Sequence, residues 1–281
     1  RLQRAMTTPH SVAPIALTIG EPAGVGPELA SPAFQALHGD VPFFLIGDPD
    51  HLPKGTAFTT IQHPHEALSA ERLPVLPQPF GAPRNPGQPV PEHAQQVIDV
   101  IARAVDLVQT GAACAICTAP IHKKALKDGA GFAYPGHTEF LAALGGCDHV
   151  VMMLACEQLK VVPTTIHIPL SEVPEALTPT LLRDTIRITA DALRQQFSIS
   201  HPKIAVSGLN PHAGEGGTMG CEESNWIAKL LADYDDPNCT ITGPHPADTM
   251  FHAAARKRYD AAIAMYHDQA LIPIKTLDFD R

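Results

Sequence analysis

Three histidines follow three apolar runs. The run from Lys160 leads to His167. Lys203–Ser207 leads through Gly208-Leu209-Asn210-Pro211 to His212, and Ala261–Met265 leads through Tyr266 to His267. Read as strands of an α/β sheet, each run puts an imidazole beyond a C-terminal strand end, the edge at which open α/β sheets bind ligands. Three neutral imidazoles around an open fourth position make a metal site able to catalyse. Asp248 and Asp268 are carboxylates available to orient such ligands from behind. The alternative for each histidine is a hydrogen-bonded structural residue. With 15 histidines in the chain, position rather than number carries the argument.

Other residues suit anions. Gly136-His137-Thr138-Glu139 opens a helix, whose first N–H groups and dipole favour a phosphate or carboxylate. The plainer alternative is Thr138 as an N-cap. Lys275 lies just past the last apolar run, where an ammonium can pair with an anionic substrate or relay a proton. The loop Gly20–Glu28 is rich in glycine, but Gly24-Val25-Gly26 lacks the third glycine of a dinucleotide fingerprint and no Gly-Lys-Ser/Thr follows. A tight strand–helix turn is the alternative there. Cys114-Ala-Ile-Cys117 has metal or redox spacing. On a strand, however, residues three apart face opposite sides, and the six cysteines read as buried free thiols in a reducing cytoplasm.

The elements that must position these residues alternate. Strands are expected at 14–19, 41–46, 113–117, 149–154, 160–168, 203–207, 240–242 and 261–265, with 149–154 and 160–168 an antiparallel pair around Cys156-Glu157-Gln158. Helices are expected from Pro27 to Leu37, then over 92–109, 123–127, 138–144, 178–197, 222–233 and 247–258. Ala94, Val97, Ile98, Ile101, Val105 and Val108 form one apolar face. Leu182, Ile186, Thr189, Leu193 and Phe197 form another. No closing helix is expected after Leu271–Ile274. The class is α/β with a largely parallel sheet. The glycine stretch 128–131 marks a soft boundary between a first domain, 12–131, and a second, 132–281, that carries most of the site.

The composition fits a packed globular chain: of 281 residues 44% are apolar and only 17% charged. A net charge of −9 without basic runs argues against nucleic-acid binding. Val150–Cys156 is far shorter than the ~20 apolar residues of a membrane span, so no membrane association is expected. Residues 1–5 read as an extension ahead of a start at Met6, with no signal peptide. The 28 prolines, beside strand ends such as Thr118-Ala119-Pro120, suggest stiff loops.

Several segments resemble one family. They are Leu17–Glu28 (LTIGEPAGVGPE), Thr118-Ala119-Pro120-Ile121, Tyr134–Phe140 (YPGHTEF), Leu209–Gly217 (LNPHAGEGG), Gly243–Thr249 (GPHPADT) and Met265–Gln269 (MYHDQ). In this order they are similar to the 4-hydroxythreonine-4-phosphate dehydrogenases of vitamin B6 biosynthesis. The resemblance implies two α/β/α domains with a cleft between them, like isocitrate and isopropylmalate dehydrogenases, and a homodimer with shared active sites. It implies metal ligands at His167, His212 and His267, one of them supplied by the partner subunit, and substrate contacts at His137, Thr138 and Lys275. Two further family contacts, an Asn and an Arg, would follow Lys275 and have no counterpart up to Arg281. The resemblance also implies NAD or NADP as hydride acceptor and one divalent metal per site, with zinc favoured over magnesium or cobalt. Asp248 is the candidate general base. No residue can be assigned to the cofactor. A sister enzyme acting on 4-phosphoerythronate or threonate is the nearest alternative. A phosphate acyltransferase and a histidine-rich metal-binding protein stand behind it.

Overall fold

The computed structural model describes residues 13–279, so the expectations about Met6 and Arg281 lie outside the described residues. The chain divides into two compact units, one up to His149 and one from Val150.

The first unit is built on apolar runs ended by proline or glycine. In chain order it comprises β1 (Ile15–Thr18), α1 (Gly26–Leu37), β2 (Phe43–Gly47), β3 (Phe58–Thr60), β4 (Leu73–Pro77), α2 (Ala94–Gln109), β5 (Ala115–Thr118), α3 (Lys123–Ala130) and α4 (His137–Gly145). The strands pair in the order β3-β4-β2-β1-β5, all parallel. Central β2 is buried at every residue, as a strand covered on both faces must be. Helix α2 buries Ala94, Val97, Ile101 and Val105 as expected, adds Val100 and Ala104, and leaves Ile98 and Val108 partly buried against the same core. Its first residues form a separate 3₁₀ turn, Pro91–His93. The unit boundary falls beyond the glycine stretch at 128–131 because Phe132 and Phe140, which follow it, pack into this core.

The second unit comprises β6 (Leu154–Cys156), β7 (Leu159–Pro163), α5 (Val173–Ala176), α6 (Pro179–Gln195), β8 (Lys203–Ser207), α7 (Ala228–Ala232), β9 (Thr240–His245), α8 (Ala253–Arg256), β10 (Ala261–Ala264) and α9 (His267–Leu277). The strand order is β6-β7-β10-β8-β9. β6 folds back antiparallel on β7 around Glu157-Gln158, as expected, and the other pairs are parallel. Thr178 caps α6 through its side chain. Leu182, Ile186, Thr189 and Leu193 are buried, but Phe197 lies beyond the C-cap and is 39% exposed.

Four expectations are corrected. The segment 247–258 is not one helix. It is a 3₁₀ turn, Ala247–Thr249, and the short α8, with His252 extended between them. The Met250 carbonyl at that break accepts from the Tyr259 hydroxyl at 2.9 Å. Residues 267–277 form a closing helix that tolerates Pro273 inside it. β6 begins only at Leu154, not at His149. Finally, no cysteine is buried: Cys114, Cys117, Cys147 and Cys221 are exposed and Cys156 and Cys239 half-buried, all free. Cys117 is exposed because, among the described residues, β5 is an edge strand paired with β1 alone.

Candidate functional site

The strand order of the second unit decides the site. β7, β10 and β8 are neighbours and run parallel, so the segments carrying His167, His267 and His212 leave the sheet at one edge. The His167 and His267 rings lie 5.9 Å apart, centre to centre. Both line a cavity of ≈ 290 Å³ with Asp268 and Tyr266. His212 lines a neighbouring cavity with Asp248, Tyr266 and Gln269. Tyr266 borders both. Among the described residues, no three His, Cys, Asp or Glu side chains stand close enough together to hold a metal ion. One chain therefore brings together two of the three imidazoles and sets His212 beside them.

The backbone at these histidines is unusual. β7 ends at Pro163, short of the expected Ile168, yet the pairing runs on through Thr164 N–H to Ala264 and Thr165 N–H to Met265. Two residues later His167 turns left-handed, at φ 54°. After β8, His212, Ala213 and Glu215 are left-handed too, at φ 52°, 52° and 42°. Such residues cost about 1–2 kcal/mol each and persist only where the surroundings hold them. Here the buried Glu223 carboxylate accepts from the Asn210 N–H at 2.8 Å and the Asn210 amide at 3.0 Å, and Glu222 accepts from the same amide at 2.7 Å. Its own backbone N–H, and after it the Asn210 amide, hold the Glu222 carboxyl below the usual carboxylate range. Gly214, at φ 78°, leaves the room Glu223 needs: a Cβ there would lie 2.7 Å from its carboxylate.

α9 begins at His267 because Tyr266 is extended and serves as N-cap. The His267 Nδ1 lies 2.7 Å from an Asp268 carboxylate oxygen. A carboxylate only accepts, so Nδ1 carries the proton and Nε2 is the nitrogen left for a ligand. Lys275, just past the last apolar run, is in the last turn of this helix. It shares a groove with His267 and Leu271, residues at helical spacing on one face, so its Cα is ~12 Å along the axis from that of His267.

The remaining candidates are in the first unit. The N-cap of α4 is Gly136, with no side-chain cap, so Thr138 is inside the helix and the N-cap alternative does not hold. His137 has a buried Nε2 without a partner among the described residues. Burial, and secondarily the Lys123 ammonium, push its pKa down. The Gly20–Glu28 loop is a tight turn: a Cβ on Gly26 would lie 2.0 Å from the Ile19 carbonyl. Glu21 turns inward there to accept from Ala23 N–H at 3.0 Å.

Sequence reasoning overlooked Glu223, Thr165 and Gln269. Glu223 carries no local signal, since its partner is across a loop. Gln269 stood inside the Met-Tyr-His-Asp-Gln run but received no role.

Comparison with known proteins agrees with this architecture. The family described as pyridoxal phosphate biosynthetic protein PdxA matches residues 40–281. The 4-hydroxythreonine-4-phosphate dehydrogenase of Ruegeria sp. (strain TM1040) is 62% identical over 269 residues, covering 95% of this chain and 82% of the relative. The enzyme of that name from Roseobacter denitrificans is 60% identical over 274 residues, 96% of this chain and 84% of the relative. A crystal structure of 4-hydroxythreonine-4-phosphate dehydrogenase from Klebsiella pneumoniae matches with a TM-score of 0.86 at 36% identity, covering 97% of this chain and 85% of that one.

Proposed function

This chain belongs to the pyridoxal phosphate biosynthetic protein PdxA family, and we propose that it oxidises 4-phosphohydroxy-L-threonine with NAD or NADP as hydride acceptor. The C3 hydroxyl loses its proton and C3 its hydride, giving 2-amino-3-oxo-4-phosphooxybutanoate. This β-keto acid loses carbon dioxide to give 3-amino-2-oxopropyl phosphate.

The observation that supports the site assignment is the set of adjacent strand ends β7, β10 and β8, each followed by an imidazole. The donor set suits a divalent metal: two of the rings are neighbours, and one has its outer nitrogen freed by a carboxylate on the other. His167, His212 and His267 would hold it, zinc first and magnesium or cobalt as alternates. When bound, it would supply Lewis acidity to the C3 oxygen.

The rest falls to side chains of this chain. Asp248, beside His212, is our candidate to take the hydroxyl proton. Lys275, on the His267 face of α9, is assigned to an anionic group of the substrate and to proton relay. His137 and Thr138 are assigned to another anionic group. The lowered pKa of His137 leaves its ring neutral at pH 7, able to donate one N–H without adding a charge.

We further assign the chain to a homodimer in which one imidazole of each metal site comes from the partner subunit. Leu170 and Ile272, 66% and 63% exposed beside the imidazoles, are apolar surface of the kind a partner covers. We place the protein in the cytoplasm, where its six free thiols suit a reducing environment.

The test is NADH or NADPH formation with 4-phosphohydroxy-L-threonine and with 4-phosphoerythronate, each with and without a chelator. Chelator-sensitive turnover of the amino substrate alone is expected. Turnover of the second acid alone moves the chain to the sister activity, and turnover indifferent to chelator removes the metal.

A further inference from the structure

Gln269 is the third residue of α9, where a side chain commonly folds back to cap the helix start. Here it does more. Its Oε1 accepts from Met265 N–H at 2.8 Å and from the Ser207 hydroxyl at 3.0 Å, while its Nε2 donates to the Gly208 carbonyl at 2.9 Å. Met265 lies two residues before His267, and Gly208 opens the loop to His212. The Met265 carbonyl in turn accepts from Thr165 N–H at 3.2 Å and Thr165 Oγ1 at 2.8 Å, two residues before His167. Ser207 is fully buried and Thr165 nearly so, so these bonds are shielded from water. All three histidine-bearing segments are thus tied around one backbone position.

We infer that Gln269 is a positioning residue that sets the His212 loop against the His267 helix start, and so sets the affinity of the site for metal. The inference rests on the three-imidazole reading above. Only a primary amide serves here. Met265 N–H can only donate and the Gly208 carbonyl can only accept, so the side chain must accept at one atom and donate at the other. Asparagine is one methylene too short to reach both strand ends. Alanine leaves the Gly208 carbonyl without this partner.

The test uses cobalt(II) alone as probe, followed through its visible absorption on the full-length protein, with the melting temperature of the metal-free protein measured alongside. Gln269→Ala is expected to weaken cobalt binding by roughly 10–100-fold, the usual cost of losing a residue that orients ligands, and to alter the cobalt spectrum. A merely capping role would lower the melting temperature and leave affinity and spectrum unchanged, and that result overturns the inference. Should Gln269→Ala fail to fold, Ser207→Ala removes one of the three bonds and leaves the cap. It is expected to weaken cobalt several-fold, and unchanged binding there overturns the inference equally. Wild-type protein that takes up no cobalt would overturn the three-imidazole reading itself, and the inference with it.

Discussion

Two groups of histidines, one in each unit, use the same side chain in opposite ways. His51 and His93 are each 1% exposed and lie 4.9 Å apart, packed edge-on against Phe80. Their Nε2 atoms reach the same Ala82 carbonyl, at 2.8 and 2.9 Å. A carbonyl only accepts, so both Nε2 atoms carry the proton, and both Nδ1 atoms are left buried without a partner among the described residues. This pair holds the 80–93 segment onto the first unit's core. His167 and His212, in contrast, are exposed, stand on left-handed backbone and spend no ring nitrogen on the fold among the described residues. There the backbone does the holding, through Glu223, Thr165 and Gln269. An imidazole that spends its N–H inward is structure. One held by its backbone, with its ring left over, is available to a ligand.

The sharpest break of that contrast is His212→Ala. Activity and bound metal should fall together by more than about 100-fold, beyond the loss typical of a supporting residue. Stability should move by less than ~1 kcal/mol, because the side chain is exposed. Metal analysis and thermal melting of one preparation decide it, and full metal content in the variant would refute the three-histidine site. Asp248→Asn should lower kcat by at least about 100-fold while metal content stays at the wild-type level, as loss of a general base does. Loss of metal instead would make Asp248 part of the ligand shell. His93→Ala inverts the pattern. It opens a cavity in the packed His51–Phe80 cluster and should cost about 2–4 kcal/mol in denaturant unfolding, with cobalt binding per folded molecule unchanged.

The smallest effect is a pH dependence of the first unit. Burial pushes the His51 pKa down, opposed by its hydrogen bond to Ala82 and by nearby Asp48, while His93 and Arg84 reinforce the shift. A folded pKa below the unfolded ~6.5 means that the stabilisation is complete above that pH and is lost as pH falls through the folded value. The slope from one proton is at most about 1.4 kcal/mol per pH unit. Unfolding followed from pH 7.5 down to 5 should show the loss in wild type and a flatter profile in His51→Phe.

Much of the fold was legible because local rules agreed with tertiary packing. The helix starting near Thr178, the apolar faces of α2 and α6, and the strands ending at proline or glycine came from side-chain periodicity and backbone stereochemistry within a few residues. The misses share a cause. Phe197, the broken 247–258 segment and the exposed cysteines looked like core or helix by composition. Their burial depends on neighbours distant in the chain, such as Tyr259 over Met250, or on β5 being an edge strand among the described residues.

By itself the sequence determined which residues can bind metal, carry charge or accept a proton, and that three histidines each follow a strand, because residue type and short-range pattern are local properties. Only the tertiary structure decided that β7, β10 and β8 are neighbours, that His51 and His93 are structural, and that Gln269 and Glu223 brace the loops. Strand order and hydrogen bonds across a sheet join residues tens of positions apart, and no periodicity in the chain encodes that pairing.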